Sequence, residues 1–165
     1  MAKLMTIQVR DRGATPRGMK RVFNAAQKAA WRDVAWEFHS NYRDKRFTPE
    51  HAIAAGYTRR KGEMIPRDTK AFRQSYTGRK LRMFGHTNPL QFTGDTRRAV
   101  KWASVSSTSK GGKAAYSGAR VFNFRPPRSK VRMGEEFRRI TPQEAIELGK
   151  YFDQQLDARL KESDK

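Results

Sequence analysis

The chain has no cysteine, so disulfide staples and thiolate metal sites are excluded and the redox compartment stays open. Histidine is scarce. His39, His51 and His86 stand far apart, and no pair has the spacing of metal ligands. No pair of carboxylates stands out as an acid–base couple. Ser117-Gly118 lacks the Gly-x-Ser-x-Gly frame of a nucleophile elbow. Lys110-Gly111-Gly112-Lys113 lacks the spacing of a phosphate loop and reads as a hairpin turn. These gaps predict no enzyme, no cofactor and no metal. No apolar run approaches the roughly 20 residues that cross a bilayer, which predicts no membrane partner. Residues 1–12 lack the apolar stretch of a secretory signal, so the expectation is a protein that stays where it is made or is built into something there.

Acidic residues are also few. Sixteen Asp and Glu face 36 Lys and Arg, for a net charge of +20. The excess is uneven: residues 1–140 carry +22 and residues 141–165 carry −2. A field of that size favours a polyanionic neighbour, whether nucleic acid, an acidic protein surface or an anionic membrane, and charge alone does not choose among them. Hydrophobic residues make up 36% of the chain, yet ten Phe, five Tyr and three Trp are among them. That is too aromatic for a disordered basic tail. A length of 165 residues fits a single domain spanning 1–165 with a real core.

Along the chain, residues 4–9 alternate Met5, Ile7 and Val9 against Thr6 and Gln8, the pattern of a short strand. Thr15-Pro16 then opens a helix. Met19, Val22, Phe23, Ala26, Ala30, Val34 and Phe38 give it one apolar face, to about Tyr42. Trp31, Ala35, Phe38 and Tyr42 form a second stripe, and Trp31, Phe38 and Tyr42 are candidate subunit contacts. Thr48-Pro49-Glu50 opens a short helix closed by Gly56, and Thr93 can cap another through Ala99. A strand at 100–105, a polar loop at 106–112 and a returning strand at 114–124 read as a hairpin. The returning strand would place Tyr116, Gly118, Arg120, Phe122 and Phe124 on one face. Thr141-Pro142-Gln143-Glu144 is a capping box that starts the last helix, lined by Ala145, Leu148, Phe152, Leu156 and Leu160. The predicted class is α+β: a small antiparallel sheet packed by a long N-terminal helix and a C-terminal helix, with an extended basic arm.

The arm is residues 43–82, an insertion with twelve Lys or Arg against four acids and no apolar period. It is expected to order on assembly. Within it, Tyr57-Thr58-Arg59-Arg60-Lys61 is echoed by Tyr76-Thr77-Gly78-Arg79-Lys80. An aromatic beside cations can stack on a base while Arg and Lys meet phosphates, or dock on an acidic protein face, or simply be solvated. Candidate partner or DNA contacts are Arg59, Arg60, Lys61, Arg79, Lys80 and Arg82, joined by Lys110 and Lys113 on the hairpin. No sequence-reading motif accompanies them.

The stretch Asn88-Pro89-Leu90-Gln91-Phe92-Thr93-Gly94-Asp95-Thr96-Arg97-Arg98-Ala99-Val100 resembles the minor structural proteins that complete phage tails or join head to tail. The order of features agrees: short strand, long helix, basic stretch, Thr-Gly segment, hairpin, capped last helix. The arm is longer and more basic than in that family's core, and the lead into the last helix is altered to Glu136-Phe137-Arg138-Arg139-Ile140. The resemblance implies a non-enzymatic virion protein, assembled in the host cytoplasm. It would form a homo-oligomeric ring in the neck or at the top of the tail. Its neighbours would be other head–tail or tail proteins, with non-specific DNA contact in the lumen. The alternative is a nucleic-acid-binding protein without sequence preference, ribosome- or nucleoid-associated. An enzyme acting on nucleic acid is disfavoured by the missing carboxylate cluster and missing His motif.

Overall fold

The computed structural model describes residues 16–118, 122–123 and 131–163; the predicted strand at 4–9 lies outside them. The first helix, α1, spans Pro16–Glu37. It widens into a π-helical turn, Phe38–Tyr42, and tightens into a 3-10 turn, Asp44–Phe47. The predicted end near Tyr42 is thus where the helix changes pitch.

Short helices follow: α2 (Pro49–Ala54), a 3-10 turn (Lys61–Met64), α3 (Lys70–Gln74) and α4 (Tyr76–Phe84). Each α-helix of this group starts on a hydroxyl residue. Thr48 accepts from the His51 amide, Thr69 from Phe72 and Ser75 from Gly78, caps worth about 1 kcal/mol each. Gly56 and Gly85, at φ 61° and 70°, end α2 and α4 in the left-handed region that favours glycine. The basic segment 43–82 is therefore coiled and anchored rather than extended. Phe47 and Tyr57 enter the main core, and Phe72 is buried under α3. Its helices are too short to show an apolar period, and they are held by scattered aromatics: Phe47 and Tyr57 on either side of α2, Phe72 within α3, and Tyr76 and Phe84 of α4 against Phe92.

The helix α5 (Asp95–Ala99) begins one residue later than predicted. Gly94 is its N-cap, and the Thr93 hydroxyl accepts from the Asp95 amide at 3.3 Å. Val100 is fully buried at its end, and the strand predicted from 100 begins only at Ser104. Strands β1 (Ser104–Thr108) and β2 (Gly111–Ala115) pair antiparallel, Ser104 opposite Ala115 and Thr108 opposite Gly111. The hairpin turn is Ser109-Lys110, not the long loop predicted at 106–112. Gly112 explains the difference. A Cβ there would lie 2.2 Å from the Trp31 carbonyl oxygen, so glycine lets the strand lie on the backbone of α1. The strand β2 stops at Ala115, short of the predicted 124. Tyr116 packs against the core and Phe122 is buried in it, while Arg120 and Phe124 lie outside the described residues.

Helices α6 (Met133–Arg138) and α7 (Pro142–Ser163) complete the fold. The capping box at α7 forms as predicted. The Glu144 amide donates to the Thr141 hydroxyl and the Thr141 amide to the Glu144 carboxylate. The long helix α1 packs against α7 and against both strands. Among the described residues the result is α+β: mostly helical, with a small two-stranded antiparallel sheet and long helices near each end. The main core gathers Phe47, Tyr57, Leu90, Val100, Phe122 and Phe137. Phe122 stacks on Phe137 at 4.6 Å, with Tyr116 edge-on at 5.5 Å. Truncating Phe137 to Ala in such a centre costs about 3–5 kcal/mol. A second cluster of Val34, Tyr42 and Leu148 joins α1 to α7.

Candidate partner-binding surfaces

Two buried carboxylates set the position of the basic helices. Arg46 is wholly enclosed; it forms a two-pronged pair with Glu144 at 2.5 and 3.0 Å and also donates to the carbonyls of Tyr42 and Arg139. Its guanidinium lies 4.6 Å from the Phe38 ring. His51 Nδ1 stands 3.5 Å from the same carboxylate. Burial raises the pKa of Glu144, but the Arg46 hydrogen bonds and charge outweigh it and hold the carboxyl below its usual range. Burial and then Arg46 push His51 down, which keeps it neutral. The second carboxylate, Glu136 on α6, accepts from the Thr58 amide at 3.2 Å and from Arg60 at 2.5 Å. Arg139 adds two bonds to the carbonyls of Ala55 and Gly56 at the end of α2.

The eight candidate cations divide on this frame. Arg59, Lys61, Arg79 and Arg82 are exposed on the short-helix layer and make no ion pair among the described residues. Arg67, Lys70 and Arg73 extend the same exposed layer. Arg60 is half-buried and held by Glu136, so it positions the layer instead of meeting a partner. Lys80 is 5% exposed, and its ammonium donates to the Asn88 carbonyl. Burial pulls its pKa down to about 8. It ties α4 to the Asn88–Val100 stretch, in which Pro89, Leu90, Gln91 and Val100 are buried. Lys110 and Lys113 are exposed on the hairpin, which packs on α1. The echoed pentapeptides are unlike in three dimensions. Tyr57 is core, whereas Tyr76 is exposed and stacks on Phe92 at 5.1 Å.

Trp31, Phe38 and Tyr42, the predicted subunit contacts, face the protomer's own α7 side. The Trp31 ring lies 4.3 Å from Phe152, and Tyr42 is buried and donates to Glu147 at 2.8 Å. The large apolar side chains left exposed on α1 are Met19, Val22, Phe23 and Trp36, at 56, 43, 42 and 46%. Met19, Val22 and Phe23 continue the stripe that Ala26 and Ala30 bury further on. The reason lies in register: α7 runs against α1, and the Arg159–Asp33 ion pair is reached near the end of α7. The first turns of α1 therefore run past it. Between α1, β2, α6 and α7 lies an apolar groove of about 710 Å³, lined by Trp31, Val34, Phe38, Phe137 and Leu148 with Lys113 and Arg138.

Sequence reasoning missed Arg46, Glu136 and His51 as organising residues. The capping box marked Glu144, but its partner stands 98 positions away within a basic run that reads as surface. Among the described residues no cluster of three or more His, Asp or Glu could hold a metal ion, and no helix is long and apolar enough to cross a membrane. Set against known proteins, the chain matches no family model, no curated protein and no solved structure.

Proposed function

We propose that this protein is a structural component of a tailed-phage virion, forming a ring around the DNA channel at the head–tail junction or the top of the tail. The observation that carries the reading is the layer of exposed cations at Arg59, Lys61, Arg67, Lys70, Arg73, Arg79 and Arg82, which make no ion pair among the described residues and lie beside Arg60, itself held by buried Glu136. A cationic face suits a polyanion or an acidic protein ring, because complementary charge steers encounter and fixes register. The apolar end of α1 suits a contact between copies. The resemblance of the sequence 88–100 to tail-completion and neck proteins supports the virion over other settings for a basic structural protein.

Electron microscopy and sedimentation of the purified protein test this reading. Closed rings of one size, growing in with protein concentration, are expected. A strict monomer at high concentration that binds free duplex or RNA would favour the other reading, a nucleic-acid-binding protein of the ribosome or nucleoid. The same exposed cations favour that reading through phosphate contact.

A further inference from the structure

Three aromatic rings meet on α4. Tyr76 opens the helix and Phe84 ends it, about 12 Å apart along the axis. Phe92 bridges them: its ring stacks on Tyr76 at 5.1 Å and 24° and meets Phe84 edge-on at 4.8 Å. Phe92 covers one face of the Tyr76 ring, yet Tyr76 is 57% exposed, so the exposure falls on the other face and the rim. Exposed cations stand close by. Arg79 and Arg82 follow on α4. A Cβ at Gly78 would lie 1.9 Å from the Phe72 carbonyl oxygen, so the backbones of α3 and α4 touch there, with Arg73 at the corner. A Cβ at Gly62 would lie 2.6 Å from the Thr77 hydroxyl, which seats the 61–64 turn, and Lys61 with it, on the first turn of α4.

We propose that Tyr76 is a stacking platform for an unpaired base, so that this face binds single-stranded nucleic acid, with Lys61, Arg73, Arg79 and Arg82 meeting its phosphates. Base stacking needs an exposed aromatic face held in place, and backbone contact needs exposed cations beside it. Both occur here within residues 61–92. A duplex supplies phosphates but keeps its base faces inside its own stack. An acidic protein face would pair with the cations and leave the ring unused. Of the two echoed pentapeptides only the second has this arrangement, since Tyr57 belongs to the core. The proposal rests on the reading of the cation layer as a face for a polyanion, and it does not depend on ring formation.

Fluorescence anisotropy tests it with three probes: an oligothymidylate of about ten nucleotides, an abasic strand of the same length and charge, and a duplex. The oligothymidylate should bind at least about fivefold more tightly than the abasic strand, the lower end of what one stacked base contributes. Tyr76→Leu keeps charge and bulk but removes the ring. It should erase that difference and leave duplex binding unchanged, whereas Tyr76→Trp should preserve the difference. Equal binding of the two strands, or an equal loss for strand and duplex in Tyr76→Leu, would overturn the proposal and leave the polyanion reading standing. Binding of neither strand nor duplex would overturn both. A measurement on the unaltered protein guards against a disturbed fold in the variants. Ultraviolet irradiation with an iodouracil-substituted strand should crosslink Tyr76, located by the mass of its peptide; crosslinks confined to other residues would refute the proposal.

Discussion

Arg46 and Glu144 meet in a wholly buried pair, 2.5 and 3.0 Å between their polar atoms, although 98 residues separate them. The pair fastens the turn after α1 to the first turn of α7, where Glu144 also closes the helix cap. One carboxylate thus serves a local and a long-range role.

Breaking this pair should cost about 3–5 kcal/mol, because either lone charge would be left buried. Chemical denaturation of Arg46→Met and Glu144→Gln should read that loss in both. The combined Arg46→Met, Glu144→Leu variant should recover part of it. Equal losses in the single and combined variants would mean that packing, not charge, governs the site.

The hairpin's seat on α1 should depend on Gly112 and not on Gly111. A Cβ at Gly112 meets the Trp31 carbonyl oxygen at 2.2 Å, whereas one at Gly111 meets nothing within 4 Å. Gly112→Ala should destabilise by about 1–3 kcal/mol, the usual range for forced overpacking. Gly111→Ala should stay within about 0.5 kcal/mol. Thermal melts of the two variants decide this; equal melting temperatures would refute the contact.

Acid should weaken the fold early. His51 and His39 both have their pKa lowered from 6.5, by burial first and then by a neighbouring arginine. Protons therefore bind the unfolded chain better, and stability present above about pH 6.5 is lost as pH falls through the lower folded values. His51→Phe should flatten the upper part of that decline. Glu144, also held low, adds its loss at more acidic pH. Denaturation midpoints from pH 8 to 4 would check the order.

The exposed and the embedded cations should separate cleanly. Reversing Arg59, Lys61, Arg79 and Arg82 to Glu should leave stability nearly unchanged, within about 0.5 kcal/mol per site. It should weaken binding to unrelated duplexes at least tenfold and flatten the salt slope by about 0.9 for each phosphate no longer neutralised. Arg60→Glu should instead destabilise the fold by about 3 kcal/mol or more, since it sets a carboxylate against buried Glu136. Fluorescence anisotropy beside denaturation distinguishes the two classes.

The long helices, the caps at Thr48 and Thr141 and the hairpin's existence were legible in the sequence, because each rests on local chemistry: apolar period, hydroxyl before helix, polar turn. The short-helix layer was not. Phe47, Tyr57 and Phe72 are single anchors without period, and Arg46 differs from its neighbours only by its pairing with Glu144 far along the chain. The candidate surface was half legible for the same reason. A cation beside an aromatic reads alike whether it ends exposed, as Arg59 does, or sealed, as Lys80 does. Position in the sequence does not reveal which partner the third dimension supplies.

Glu136 and Glu144 are enclosed by a fold that has only 16 Asp and Glu in all, so the exterior is poorer still in negative charge. Two copies approaching one another meet mostly like charge, and dissolved ions decide how far that repulsion extends, about 10 Å at 0.1 M. Added salt should therefore draw copies together through the apolar end of α1 while loosening their hold on any polyanion. The same ions that dissolve one association promote the other, so the ionic strength of the medium sorts the partners of this chain.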